Sequence, residues 1–261
     1  MRRILFLACS VVSLAASAAT TTEVPPAGKL TAAQIVERNV AARGGLEAWR
    51  AVQSLTLSGQ LDAGGKANVQ LPFVMQMKRP HKSRLEIRFQ GQTALQIYDG
   101  IGGWKVRPFL GRDEVEAYTP AQAKEAAAWA ELDGPLVDYA VKGTTIELQG
   151  TEAVEGRNAY KLKLTTKDGV QRNVWVDAAN FLEVKIDGEP RKMDGRVRKV
   201  AIYYRDYRSE NGLTTPRTLE TVVEGFKPSR KMKIERVAVN QPMDEALFSK
   251  PQLPVAAASG R

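Results

Sequence analysis

Along most of the chain, hydrophobic and polar residues alternate with a period of two, the pattern of strands that bury one face. The alternation starts at Ser54, after a helical opening. There Thr31 is placed to cap a helix with Gln34 three residues on, Ile35, Val36, Asn39 and Val40 recur at helical spacing, and Gly44-Gly45 ends the run. A second helical turn over Leu46 to Val52 leads into the strands. Leu55, Leu57 and Leu61 alternate with polar residues up to a turn at Gly64-Gly65. Val69, Leu71, Phe73, Met75 and Met77 then fall on one face, with Gln70 and Gln76 opposite. Beyond Pro80, Leu85, Ile87 and Phe89 alternate with Arg84, Glu86, Arg88 and Gln90. Leu95 and Ile97 mark a fourth strand, Asp99-Gly100 a turn, and Trp104 with Val106 a fifth.

The alternation stops over residues 119–140. Thr119 as N-cap, Pro120 at the first helical position and Gln122 predict a helix start, and the alanine-rich run that follows carries Trp129 and Leu132 as its bulky apolar residues. Asp133-Gly134-Pro135 breaks it, and Leu136 to Tyr139 adds one more turn. Strands resume around Ile146 and Leu148, Tyr160 to Leu164, Val170 to Asp177, Leu182 to Ile186, Lys199 to Tyr207, Thr218 to Glu224 and Lys231 to Val239, with a basic loop over Glu189 to Arg196.

About eleven strands with hairpin-like connections predict a mainly β (α+β) fold. It forms one domain over residues 30–252, a single curved antiparallel sheet covered by an N-terminal helix and a central helical insert. A sheet of this size curls, and one apolar face must be buried or used. Left half open, it offers an apolar trough that the helices could cover. Ala123, Ala126, Ala127 and Ala128 suit a loosely packed lid, although a permanent plug over a core fits the same residues. Met75 and Met77 suit a pocket for varied chains or a plain core equally.

The first residues add a destination. Arg2 and Arg3, the apolar run Ile4 to Leu14 and Ala16-Ser17-Ala18 predict a signal peptide over residues 1–18, with cleavage before Ala19 and a periplasmic product. Residues 19–29 read as a flexible leader and 253–261 as a disordered tail. Cys9, the one cysteine, leaves with the signal; as a lipid anchor it is preceded only by Ile4 to Ala8, too short for an apolar signal core. No later stretch approaches the roughly 20 apolar residues of a transmembrane helix. The formal net charge is +9, of which Arg2 and Arg3 are removed with the signal. The remaining excess suits lipid head groups or envelope glycans, or serves solubility alone, and nucleic acid is not expected as a partner of an exported chain.

Catalytic chemistry is sparse. His81 is the single histidine, which excludes histidine-rich metal sites, and no G-x-S-x-G elbow or phosphate-cradling glycine loop is present. No metal, no cofactor and no enzymatic activity are expected.

Two segments carry a resemblance. The run MKRPHKSRLEIRFQGQTALQIYDGIGGWKVRPF, Met77 to Phe109, resembles the central hairpin of the LolA/LolB-like family of periplasmic outer-membrane lipoprotein carriers: a strand ending in K-R-P, then a pair of strands joined by D-G before a tryptophan and an aromatic-proline segment. The C-terminal DEALFSKP, Asp244 to Pro251, resembles the closing D-x-x-x-F-x-x-P element, and the order of elements agrees over most of the chain. The resemblance implies a half-barrel whose cavity holds acyl chains of lipoproteins or lipids, here lined by Leu71, Phe73, Met75, Leu85, Ile87, Phe89, Leu95, Ile97 and Trp104. Trp129 and Leu132 then belong to the lid helix. It also implies a monomer that works with an inner-membrane export complex or an outer-membrane acceptor. In such carriers the arginine of K-R-P bonds to the lid, which makes Arg79 the latch. A guanidinium with five donors could bond several helix-end carbonyls at once, whereas an exposed arginine before a turn is the alternative. The chain departs from the carrier pattern in its length, in Asp133 to Leu136 and in the basic segment Arg191 to Lys199. A second reading is a lipid- or lipoprotein-sensing module that acts through a protein partner.

Overall fold

In the computed structural model, which describes residues 30–62, 69–227 and 229–252, the alternating segments pair into one open sheet. Two helices come first, α1 (Ala32–Ala42) and α2 (Leu46–Ala51). Six strands follow: β1 (Ser54–Asp62), β2 (Gln70–Lys78), β3 (Lys82–Phe89), β4 (Gln92–Tyr98), β5 (Gly103–Arg107) and β6 (Arg112–Ala117). After α3 (Pro120–Trp129) come β7 (Thr145–Val154), β8 (Arg157–Thr165), β9 (Gln171–Asp177), β10 (Glu183–Met193) and β11 (Arg196–Arg205). A small hairpin, β12 (Arg208–Glu210) and β13 (Leu213–Thr215), precedes β14 (Thr218–Val223) and β15 (Arg230–Val239), and a 3₁₀ turn at Glu245–Phe248 is the last element.

The main sheet has 13 antiparallel strands in the order β6-β5-β4-β3-β2-β1-β15-β14-β11-β10-β9-β8-β7, so the expected strand count is too low and the sheet is open at both edges. The extra strand at one edge, β6, has the sequence RDEVEA and offers no apolar alternation. It is held instead by its ladder to β5 and by Glu116, which takes a bidentate bond from Arg107 at 2.7 Å. The basic loop expected over Glu189 to Arg196 is the continuation of β10 and β11 as a hairpin. Cations on both of its faces hide the alternation from a hydropathy reading.

Both long-helix starts follow their sequence signals. Thr31 and Thr119 each accept from the backbone N–H three residues on, and Gln34 and Gln122 bond back to the cap. The helices differ in anchorage. α1 buries Ile35, Val36, Asn39 and Val40, whereas no residue of α3 is buried. The helix expected to run up to the Asp133-Gly134-Pro135 break is also shorter: it ends at Trp129, and residues 132–143 form a chain of turns. Trp129 is consequently 44% exposed, and Leu132, expected on the lid helix, lies beyond its end and is buried. Gly134 at φ +76 takes the chain out of helical conformation just after it.

The signal peptide, the leader, Cys9, the Gly64-Gly65 turn and the tail lie outside the described residues. Among the described residues no helix is long and apolar enough to cross a membrane.

Candidate functional site

Register decides which side chains share a face, because directly opposed residues of an antiparallel ladder project to the same side. Leu57, Gly59 and Leu61 of β1 oppose Met75, Phe73 and Leu71 of β2, and Met75 and Phe73 in turn oppose Leu85 and Ile87 of β3. Phe89 lies two residues beyond Ile87 and joins that row. Six of the expected cavity residues are therefore brought together: Leu71, Phe73, Met75, Leu85, Ile87 and Phe89.

Leu95, Ile97 and Trp104 are not among them. The β3–β4 turn is the dipeptide Gln90-Gly91, both at positive φ, and it pairs Phe89 with Gln92. That phase sets Leu85 and Ile87 opposite Gln96 and Ala94, while Leu95 and Ile97 oppose Glu86 and Arg84, and Trp104 opposes Ile97. These three residues belong to the other face, contrary to the expectation of one shared surface. Alternation within each strand gives a period but no phase between strands.

The C-terminal turn covers this outer face. Arg84 donates to the Leu247 carbonyl at 3.2 Å, and Lys78 and Lys82 hold the Glu245 carboxylate at 2.6 and 2.5 Å. Phe248 and Ile97 are fully buried, each contributing about 1.5–3 kcal/mol. The bonds from Lys78 and then Lys82 hold the exposed Glu245 carboxyl at about 2.

The helices lie over the inner face, the one that carries Phe73. Lys105, whose register partner is Gln96, donates to Gln122 at the start of α3 at 2.9 Å. On the far half of the sheet Tyr160 stacks on Phe181, and Arg38 of α1 sits 5.1 Å above the Phe181 ring. There the inner face is filled, with Leu162, Leu164, Val174, Val176, Ile186 and Ile202 all buried. Over β1 to β3 it is not: Leu57, Leu61, Leu71, Met75, Leu85, Ile87 and Phe89 remain half-buried, while Phe73, Leu55 and Met77 are buried. A contiguous apolar strip thus runs from β1 to β3, and α3, which buries none of its own residues, lies against its β3 side.

At the lower end of this strip a polar hub ties the covering segments together. Arg79 donates to the carbonyls of Trp49 at 3.2 Å and Val52 at 2.8 Å at the C-terminal end of α2, where Trp49 also accepts from the Val52 N–H, and to Asp133 Oδ2 at 2.8 Å. The other Asp133 oxygen accepts from Lys142 at 2.7 Å, and its backbone carbonyl accepts from Arg43 at 3.0 Å. Arg43 continues to Glu183 at 3.2 Å and lies 4.4 Å over the Trp49 ring. Tyr207 donates to the Glu183 backbone at 3.0 Å. Burial, and secondarily the Glu183 charge, pushes the phenols of Tyr204 and Tyr207 well above their ordinary range, so both stay protonated and Tyr207 can donate to Glu183. A second tie joins α2 to the same segment through Arg50 and Asp138 at 2.7 Å, and the Arg50 hydrogen bond holds the Asp138 carboxyl below its usual value.

Arg79 thus bonds two helix-end carbonyls and the segment that follows α3, not α3 itself. Its partner Asp133 and the further hub members Arg43, Lys142 and Glu183 carry no sequence signal. They are far apart along the chain, and Asp133 sits in a D-G-P run that reads only as a breaker. His81 is exposed in the β2–β3 turn. Among the described residues no group of His, Cys, Asp or Glu is arranged to hold a metal ion.

A family model described only as an uncharacterized protein matches residues 136–254. No curated protein matches the chain. Solved structures do. An outer membrane lipoprotein-sorting protein domain from Vibrio parahaemolyticus is 14% identical with a TM-score of 0.56, over 84% of this chain and 96% of its own. A LolA superfamily protein from Nitrosomonas europaea is 16% identical with a TM-score of 0.54, over 85% and 99%. A DUF1329 family protein from Desulfovibrio piger is 17% identical with a TM-score of 0.56, over 85% and 98%. At these identities the likeness is one of fold: the chain has a LolA-like fold, mainly β, with one large antiparallel sheet and few helices.

Proposed function

We propose that this protein is a periplasmic carrier that holds acyl chains of lipoproteins or lipids against the inner face of the sheet. The observation that carries the reading is the half-buried strip of Leu57, Leu61, Leu71, Met75, Leu85, Ile87 and Phe89, with α3 against its β3 side. Apolar side chains that are only partly withdrawn from solvent are stabilised by a ligand that completes their burial, at about 0.8 kcal/mol per buried methylene. The ligand's polar end remains outside, so no catalytic group is required. Export by cleavage before Ala19, and service between an inner-membrane export complex and an outer-membrane acceptor, belong to the same proposal. The LolA-like fold supports it by analogy.

The decisive experiment is native mass spectrometry of protein purified from the periplasm, followed by transfer of the retained ligand to acceptor vesicles. A retained acylated molecule that is released to the acceptor supports a carrier. Retention without release supports the sensing module, and a protein that neither retains an acylated molecule nor binds a fluorescent fatty acid overturns the proposal.

A further inference from the structure

The outer end of the β10–β11 hairpin has a charge pattern that the acyl-chain strip does not use. Arg191, Lys192, Arg196, Arg198 and Lys199 crowd around the turn at Asp194 and Gly195. Register sets Arg191 directly opposite Arg198, a like-charge pair that costs a hairpin stability. None of the five cations forms an ion pair among the described residues. Several other cations on this half of the sheet are paired: Lys161 with Glu152, Arg172 with Glu189, Arg205 with Glu220 and Lys231 with Glu220. The nearest carboxylates do little for the tip. Glu189 is taken by Arg172, Asp194 is exposed, and Glu224 accepts at 3.4 Å from the Lys199 backbone N–H. Arg198 instead lies 5.6 Å over the Phe226 ring in the neighbouring β14–β15 turn, which adds the unpaired cation Lys227. In the midst of these charges Val197 is 73% exposed.

We propose that this hairpin tip docks the protein on the surface of an anionic phospholipid bilayer. Clustered guanidinium and ammonium groups match lipid phosphates, and arginine does so through a planar fork. Each such cation near an anionic membrane surface strengthens binding about fivefold, within a Debye length of roughly 10 Å. The exposed valine distinguishes a membrane from an acidic protein. A bilayer interface has an apolar layer just below its phosphates, and a side chain at a protruding tip can enter it. The inference extends beyond the carrier proposal and stands apart from it, since the tip lies at the opposite end of the strands from Arg79.

The test is co-sedimentation of the intact protein with vesicles containing phosphatidylglycerol, with phosphatidylcholine vesicles and polyglutamate beads in parallel. Binding to the anionic vesicles alone, lost at high ionic strength, is expected. Combined Arg191→Gln, Lys192→Gln, Arg196→Gln and Lys199→Gln should weaken it by about a hundredfold or more, with fatty-acid binding unchanged. Val197→Asp, which keeps every cation, should weaken it about tenfold and decides the matter if the fourfold variant does not fold. Equal binding to neutral vesicles, binding to polyglutamate without vesicles, or wild-type vesicle binding by Val197→Asp would each overturn the proposal.

Discussion

Arg79 and Asp133 meet at 2.8 Å, and the carboxylate is almost wholly buried while the guanidinium remains a third exposed. Asp133 keeps Lys142 as a second partner, so the pair is one arm of a hub and not an isolated buried charge. Removing Arg79 leaves the Val52 carbonyl without its donor, the Trp49 carbonyl with the Val52 N–H alone, and half of the Asp133 charge unanswered. For Arg79→Leu, about 1.5–3 kcal/mol of tethering is lost, and the segment from α3 to Lys142 should open roughly ten- to a hundredfold more often. Hydrogen exchange over residues 120–144 measures this directly. Arg79→Lys should restore part of the protection, since an ammonium cannot reach both carbonyls and the carboxylate. Unchanged exchange in Arg79→Leu would remove the latch role.

The inner face divides into packed and half-buried positions, and substitutions should divide the same way. Phe73 is buried, so Phe73→Ala should cost about 3–5 kcal/mol of stability. Ile87 is half-buried, so Ile87→Glu should leave the protein folded yet weaken fluorescent fatty-acid binding by about tenfold or more, because the bound chain would desolvate the carboxylate. Chemical denaturation and ligand titration on the same preparations separate the two effects. If Ile87→Glu unfolds the protein and Ile87→Ala binds normally, the strip is core.

The opposite face gives the complementary test. Leu95→Lys should not change fatty-acid binding, since register places Leu95 away from Phe73 and Ile87. Phe248→Ala should lower stability by about 3 kcal/mol with ligand affinity preserved. A loss of affinity in Leu95→Lys with unaltered melting would return that residue to the site.

Glu245 supplies a pH signature. Its carboxyl is held at about 2 by Lys78 and Lys82, below its ordinary value of 4.5. A depressed folded-state value contributes stability that is complete above the unfolded value and is lost as pH falls towards the folded one. The C-terminal turn should therefore stay docked at pH 5 and loosen as the solution is taken from 4.5 to about 2. Glu245→Gln should abolish that acid step. Phe248 side-chain resonances, followed by NMR through the titration, report it.

Much of this architecture is readable in the chain because hydrophobic periodicity is a local property. Leu85, Ile87 and Phe89 announce a half-buried strand by themselves, and Thr31 with Gln34 announces a helix start. Phase is not local: nothing within Leu95 to Ile97 states that a two-residue turn has set them against Arg84 and Glu86. The hub is less legible still, since Arg43, Asp133, Lys142 and Glu183 acquire their meaning only when five separate segments converge. The short hairpin of β12 and β13 escapes for a related reason: β12 is exposed throughout, β13 buries only Leu213 and Thr215, and ladder bonds with the Thr214 bond to the Arg43 carbonyl complete its anchorage.

The middle of the sheet is the pairing of β1 with β15, Leu55 opposite Val239 and Leu57 opposite Val237. The first strand of the fold thus waits for the last. Joining them requires closing a loop that spans nearly the whole domain, a slow step in which the entropic cost precedes the reward. Until β15 is available, the two halves of the sheet have no common seam, and a chain emerging from the ribosome cannot complete its native structure. For a polypeptide that must thread a membrane pore unfolded, as the proposed export requires, this late closure keeps the chain translocation-competent through its own topology.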